Sequence, residues 1–512
     1  MFGTFQNRTL GIVGALRYPY RQGGFIPTTS ISLGDRSMIT SASPENATAE
    51  SRTLPNKIVI VGGGFGGLYA AIRLTSLFWP KGKLPQITLI DKSDRFTFKP
   101  LLYELLNNTA TEEEVAPPFS QLLAPYPVRF IQAQVSGVEE MSSGGPEGNG
   151  KVQLSDGGCV EYDWLVMAMG SQADSRGIPG VKELAVPFNV YEDAVKARTA
   201  LQRIEAAGNP SSQIMIVGAG YAGVELATVV SERMKGKARV QLVTSDSDIL
   251  DGCPEGQRIA ASRSLAALGV EIITGCKVQR LESSTADPSS LPTSCSAQLQ
   301  TADGSTISYN VDLLLWTAGS SPATREGRKG LPFPVSSRGQ IEIEPTLRIR
   351  GNQRAFALGD VSRSDTDAHD DQSSPSVLPA TAQVAFQQAD YVAWNLWASI
   401  NGRALLPFRY QHLGSMMSLG SINAAVALPV PLPLPLKTSL LNSPLGPLLE
   451  ASGIKLGGND PENGVTLEGP LAAVIRRAAY LYRQPTNEQR LNVATSWIQQ
   501  ALIAVGTAPA SK

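Results

Sequence analysis

The chain has 512 residues, more than one hydrophobic core usually serves, so two or three domains are expected. With 44 basic against 45 acidic side chains and a mean hydropathy of -0.05 it has the balance of a soluble globular protein, and nothing in it suggests nucleic acid as a partner. Four cysteines without CxxC spacing and two distant histidines, His369 and His412, argue against disulfide frameworks, zinc and other metal sites, and His-based chemistry, so the chemistry is expected from a cofactor.

The first 34 residues hold Arg8, Arg17 and Arg21 and six Ser or Thr, with no acid before Asp35. This is the composition of an organelle transit peptide, and residues 1–54 are expected to be a transit peptide or disordered leader. Next comes KIVIVGGGFGGLYAAIRL (57–74), a short apolar β run, a glycine cluster and an amphipathic helical run. The spacing Gly62, Gly64, Gly67 is G-x-G-x-x-G in strand-turn-helix context. The first glycine allows the tight turn, the second lets a pyrophosphate approach bare backbone, and the third lets helix and strand pack closely. The next strand, QITLI, runs into Asp91, a carboxylate where an adenosine ribose needs an acceptor.

A second copy appears at 214–230, IMIVGAGYAGVELATVV, with Gly218, Gly220 and Gly223 in the same spacing, so two dinucleotide folds are expected. Here the following strand, VQLV, ends at Thr244 in place of an acid, with Asp246 two residues on. Weaker repulsion of a 2′-phosphate leads to the expectation that this site takes NADPH as well as NADH. YDWLVMAMGS (162–171) and VDLLLWTAGSSP (311–322) read as strands returning across each site, which marks Gly170, Ala318 and Gly319. RAFALGDVS (354–362) is another strand ending in Gly-Asp; Asp360 is either a turn former or a contact to a flavin ribityl chain or pyrophosphate.

In TAQVAFQQADYVAWNL (381–396), Gln383 and Gln387 stand at i and i+4 and share a helix face. The run AAVALPVPLPLPL (424–436) holds four prolines and reads as an extended polyproline-like linker. In the last segment Leu467, Leu471, Val474, Ile475, Ala478 and Leu481 recur at helical spacing with Arg476, Arg477, Arg483 and Arg490 interleaved. Tyr480, Tyr482 and Trp497 suit an interface. The pattern fits a membrane-surface helix, or a core-packing or dimer helix. No stretch is long and apolar enough to cross a bilayer.

GGGFGG (62–67), FTFKPLLYELL (96–106), GAGYAGVE (218–225), WTAG (316–319), ALGD (357–360) and TAQVAFQQADYVAWNL together resemble the type II NAD(P)H:quinone oxidoreductases, in their plant plastid and cyanobacterial branch. The resemblance runs from about residue 56 to 500. It implies an α/β fold of two Rossmann-like FAD/NAD(P)-linked reductase domains plus a C-terminal membrane-associating region. The implied segments are 55–190 for FAD, 191–328 for an inserted NAD(P)H domain, 329–415 returning to FAD with the quinone-site helix, and 416–512 for membrane association and dimerisation.

FAD would be held by Gly62, Gly64, Gly66, Gly67, Asp91, Lys99, Gly170, Asp360 and Ala382, and NAD(P)H by Gly218, Gly220, Gly223, Thr244, Ala318 and Gly319. Glu225, Gln383 and Gln387 would serve the quinone side. A membrane quinone, plastoquinone or a naphthoquinone, would be the acceptor. A homodimer on a membrane surface, in the plastid or else the mitochondrion, is the implied setting. A disulfide reductase is disfavoured because no cysteine precedes Cys159, and a sulfide:quinone oxidoreductase because none follows Cys295. A related flavoprotein with a soluble acceptor or a binding role is the remaining alternative.

Overall fold

The computed structural model describes residues 56–81, 83–140, 150–283, 294–325, 331–364, 378–429, 443, 454–456 and 465–506. The expected leader, 1–54, and the prolines of 430–436 lie outside the described residues.

Apolar runs too short for helices and buried on both faces form two parallel sheets, as such runs must when helices cover both sides. The first has the order Ala355–Ala357, Trp164–Met167, Lys57–Val61, Gln86–Asp91, Val128–Gln132, every pair parallel. The chain starts in the middle, builds outward on one side and then crosses to the other. The C-terminal end of Lys57–Val61 therefore faces a topological switch point, where ligands of such sheets bind. Helix α1, Phe65–Ser76, follows directly.

The second sheet repeats the plan: Glu271–Ile273, Arg239–Val243, Gln213–Val217, Leu313–Trp316, Val186–Pro187, again all parallel. Helix α2, Tyr221–Met234, takes the place of α1. The repetition goes beyond the glycine motif, because in each half a three-stranded antiparallel sheet precedes the returning strand, at 135–162 and at 277–311. Val186–Pro187 already belongs to the second sheet, ahead of the expected boundary at 191. Ser171–Ala173 pairs antiparallel with Ser320–Pro322, joining the chain's exit from the first half to its return.

The long helix α3, Ala382–Ile400, runs beside α1 and carries its apolar face (Val384, Ala385, Ala389, Val392, Ala393, Leu396) into the core. The last part of the chain forms a four-stranded antiparallel sheet in the order Ser415–Ser418, Ala424–Leu428, Val465–Gly469, Ile454–Leu456. Helices α4, Pro470–Tyr482, and α5, Asn487–Gly506, complete it.

Two expectations are corrected here. Residues 424–428 are a sheet strand, not linker, since AAVAL precedes the first proline and can donate its amides on both sides. Leu467 lies in Val465–Gly469 and does not share the helix of Leu471, because Pro470 sits at the first helical turn. Among the described residues no helix is long and apolar enough to cross a membrane.

Candidate active site between two nucleotide cradles

In the first cradle Gly62 has φ of +100°, and a Cβ there would lie 2.5 Å from Ala168 O, so the loop turns tightly beneath the returning strand. A Cβ on Gly67 would run into the carbonyl of Gly62, whereas one on Gly64 would meet nothing within 4 Å. The third glycine thus closes the turn and the second opens onto free space where a phosphate fits. Gly64 caps α1 without a side-chain hydrogen bond and no acid stands in the first turn, leaving its amides and partial positive charge for an anion. Asp91 stands at the end of Gln86–Asp91, its Oδ2 accepting from Gly63 N at 2.5 Å and its Oδ1 from Ser93 N at 2.8 Å. The carboxylate is thereby oriented, with lone pairs left for ribose hydroxyls. Gly66 has a different part: a Cβ there would press on Leu358 at 3.1 Å, so this glycine serves helix-to-strand packing.

The second cradle reproduces these relations. Gly218 has φ of +105°, and a Cβ there would lie 2.9 Å from Ala318 N; a Cβ on Gly223 would strike Gly218 O; and one on Gly220 would meet nothing within 4 Å. Ala318 and Gly319 close over this loop as Ala168 to Gly170 close over the first. Thr244 is buried, and its hydroxyl is 3.3 Å from Asp246 Oδ2 while accepting from Asp246 N at 3.2 Å. The threonine therefore turns inward, and exposed Asp246 is the acid nearest the strand end.

Between the cradles, Asp360 accepts from Ser171 Oγ at 2.7 Å, which orients the carboxylate. Lys99 donates to Asn189 Oδ1 at 2.7 Å; burial lowers its pKa, opposed by the charges of Asp360 and Asp193. Ala382 begins α3 behind the capping residue Thr381, whose hydroxyl accepts from Val384 N at 3.3 Å.

Gln383 and Gln387 do share a face, and both commit their amides to the segment leading into Ser415–Ser418. Gln383 donates to Gly414 O at 3.1 Å and accepts from Tyr410 Oη and Leu413 N, while Gln387 exchanges two bonds with the Gln411 backbone at 2.9 and 3.0 Å. They pin the C-terminal sheet to α3. The next glutamine in the same run, Gln388, was passed over by sequence reasoning. It is buried and accepts from Gly359 N at 2.6 Å, holding the Gly-Asp turn that presents Asp360. Its signal was available in the doubled glutamine, one position round the helix toward the core.

Glu225 is the group that joins these parts. It projects from the second turn of α2 and is buried, and its carboxylate accepts from Ser418 N at 2.8 Å. Burial pushes its pKa up to about 7, opposed by the Tyr103 hydroxyl, the Ser418 amide and the Arg476 charge and reinforced by Glu104. A carboxyl poised there can hold and release a proton at working pH.

Tyr103 and Glu104 come from the 3-10 turn Lys99–Leu105 and Arg476 from α4. Arg476 and Glu104 form an ion pair only 2% and 3% exposed. This corrects the reading of Arg476 as an interfacial charge: one face of α4 (Ala472, Ala473, Arg476, Tyr480) is buried, and the arginine points inward with it. Neither Tyr103 nor Glu104 carries a sequence signal of its own, since the pair forms only when residues 372 apart meet.

Residues 56–389 match the pyridine nucleotide-disulphide oxidoreductase family. The chain is 38% identical over 489 residues to the alternative NAD(P)H-ubiquinone oxidoreductase C1, chloroplastic/mitochondrial, of Arabidopsis thaliana, covering 93% of this chain and 85% of that one. It is 36% identical over 452 residues to the demethylphylloquinone reductase NdbB of a Synechocystis strain, covering 87% and 96%. Among solved structures, NDH2 of Plasmodium falciparum in complex with NADH superposes with a TM-score of 0.65 at 16% identity, covering 88% of this chain and 98% of that one. Twin glycine cradles, and identity carried across nearly the whole length of two quinone reductases, place the chain in the pyridine nucleotide-disulphide oxidoreductase family, as a type II NAD(P)H:quinone oxidoreductase.

Proposed function

We propose that this protein passes reducing equivalents from NADH or NADPH to a membrane quinone of the plastoquinone or naphthoquinone class, working on a membrane surface inside an organelle, with the plastid favoured. The observation that carries the reading is the buried Glu225, set at the junction of both cradles and the C-terminal sheet. A quinone becomes a quinol only by gaining protons, and a carboxyl that holds a proton out of water can supply one.

The residues fit the cofactors. Gly62, Gly64, Gly67, Asp91, Lys99, Gly170, Asp360 and Ala382 would hold FAD, with Gly66 behind them; Gly218, Gly220, Gly223, Ala318 and Gly319 would hold the nicotinamide nucleotide, with Thr244 shaping the strand end. FAD, when bound, supplies the two-electron redox chemistry. The chain's own contribution is to orient both partners, exclude water and hold a proton at the Glu225 carboxylate. Gln383 and Gln387 act as positioning residues, since their amides hold the segment 410–414. At the second cradle no carboxylate replaces Thr244 at the strand end, which leaves room for a 2′-phosphate, with Asp246 the nearest opposing charge on the turn that follows.

The outer face of α4 and α5 presents Leu471, Val474, Tyr482, Leu491 and Ile498 to solvent, with half-buried Arg490 against the Tyr482 ring. Exposed apolar side chains with an aromatic among them suit the headgroup region of a bilayer. The same C-terminal region would pair two chains into a homodimer.

The test is a steady-state assay of the FAD-loaded protein with NADH and NADPH against plastoquinone, naphthoquinone and ubiquinone analogues. Turnover with a quinone is expected, with kcat/KM for the two donors within about a hundredfold of one another. Oxidation of NAD(P)H with ferricyanide alone overturns the reading.

A further inference from the structure

The overall reaction requires a proton from water. A hydride carries two electrons and one proton, and a quinone needs two electrons and two protons, so the balance is NAD(P)H + H+ + quinone → NAD(P)+ + quinol. Glu225 is buried, and any proton it yields has to be replaced through the protein.

One seam is lined for this. It lies between the 3-10 turn Lys99–Leu105 with the short helix Glu112–Val115 on one side and α4 and α5 on the other. At its outer end Glu114 is buried beneath exposed Thr111 and Glu113, accepting from Thr111 N at 3.1 Å and from Gln500 Nε2 of α5 at 3.5 Å. At its inner end stands Glu104, bonded to Arg476 Nη2 and 3.8 Å from Arg477 Nη2. Glu104 Oε2 and Arg476 Nε and Nη1 are buried without a hydrogen-bond partner in the protein. Orphaned polar atoms at this density are the places where ordered water sits. An interface meant only to fasten two helices would be at least as stable with apolar side chains there.

We propose that this seam is the route by which the solution proton reaches the quinone site, entering at Glu114, passing Glu104 through water held by the orphaned atoms, and ending at Glu225. The inference rests on the quinone reading above. In each turnover one proton binds a Glu114 oxygen, passes through the water held beside the Glu104–Arg476 pair and reprotonates Glu225 as Glu225 gives its own to a quinone oxygen, so every carboxyl returns to its starting state. Burial raises the pKa of Glu114 above its ordinary value and that of Glu225 to about 7, so each end holds a proton more readily than an exposed carboxylate.

The test uses the full-length FAD-loaded protein and the variant Glu114→Gln, which keeps an oxygen for Thr111 N but cannot take up a proton. Two acceptors are compared: a short-chain quinone, which consumes a proton, and ferricyanide, which takes electrons alone. Quinone turnover is expected to fall about a hundredfold or more while ferricyanide turnover stays within about twofold, in keeping with the roughly 10²–10⁴-fold contribution of positioned proton transfer. A small weak acid such as formic acid is expected to restore quinone turnover in the variant, and Glu114→Asp to retain most of it.

Equal losses with both acceptors, or undiminished quinone turnover, overturn the seam. Should Glu114→Gln lose its flavin, Gln500→Leu, at the mouth of the seam, takes its place with the same expectation. Absence of quinone turnover in the unaltered protein overturns the proposed function itself, a separate result.

Discussion

The backbone amide of Ser418, in the C-terminal sheet, donates to the carboxylate of Glu225, in the helix of the second nucleotide cradle, at 2.8 Å. One hydrogen bond thus ties the second glycine cradle to the part of the chain that carries the outward apolar helices. With Tyr103, from the first half, against the same carboxyl, all three parts of the protein meet at one titratable group.

The pH dependence follows from that meeting. Glu225 is raised from its ordinary 4.5 to about 7, chiefly by burial. Its contribution to stability is therefore fully present below about pH 4.5 and is lost as pH rises through 7. Quinone turnover, which needs the protonated form, declines over the same upper limb. Glu225→Gln is expected to lower kcat about a hundredfold and to remove the inflection near pH 7, in kcat profiles and in urea midpoints measured from pH 4 to 8. A variant profile that keeps the inflection assigns it to another group.

The glycines of each cradle separate folding from binding. Gly67→Ala drives a Cβ into the Gly62 carbonyl and is expected to prevent folding of the first domain, whereas Gly64→Ala projects into open space and leaves a folded protein with depleted FAD. Gly220→Ala is expected to keep its flavin and raise KM for NAD(P)H about tenfold, roughly 1.4 kcal/mol. The flavin-to-protein absorbance ratio and the KM values check both expectations.

Removing one partner of the Glu104–Arg476 pair strands a buried charge. Arg476→Met is expected to cost about 3–5 kcal/mol, and adding Glu104→Gln to return a large part of it, because a neutral amide replaces the stranded carboxylate. Denaturant midpoints of the two single variants and the double variant supply the cycle. If the loss in Arg476→Met were under 1 kcal/mol, the pair would not hold α4 to the first domain.

The apolar outer face can be tested without touching the core. Leu471 and Val474 are 48% and 64% exposed, so Leu471→Ser with Val474→Ser should change stability by no more than about 0.5 kcal/mol per site. Loss of two apolar side chains from a bilayer interface should weaken vesicle binding at least about tenfold. Co-sedimentation with vesicles of plastid-like anionic and galactolipid composition measures this. Unaltered vesicle binding of the variant would assign the face to chain-to-chain contact.

The two strand-turn-helix cradles and their glycine turns were legible in the linear chain, because each depends on contacts within a unit of some 30 residues, where backbone sterics and hydrophobic period dictate the outcome. Tertiary structure decided the rest. Which face of α4 turns inward, and so whether Arg476 is a surface charge or half of a buried pair, depends on a glutamate far away in sequence. Whether AAVAL is linker or strand depends on partners at 415–418 and 465–469, and which of three clustered glutamines holds the Gly-Asp turn depends on the angle at which α3 meets the first sheet. Periodicity records that a side chain is apolar or polar, whereas burial and pairing are properties of two surfaces brought together, and only the folded chain contains the second surface.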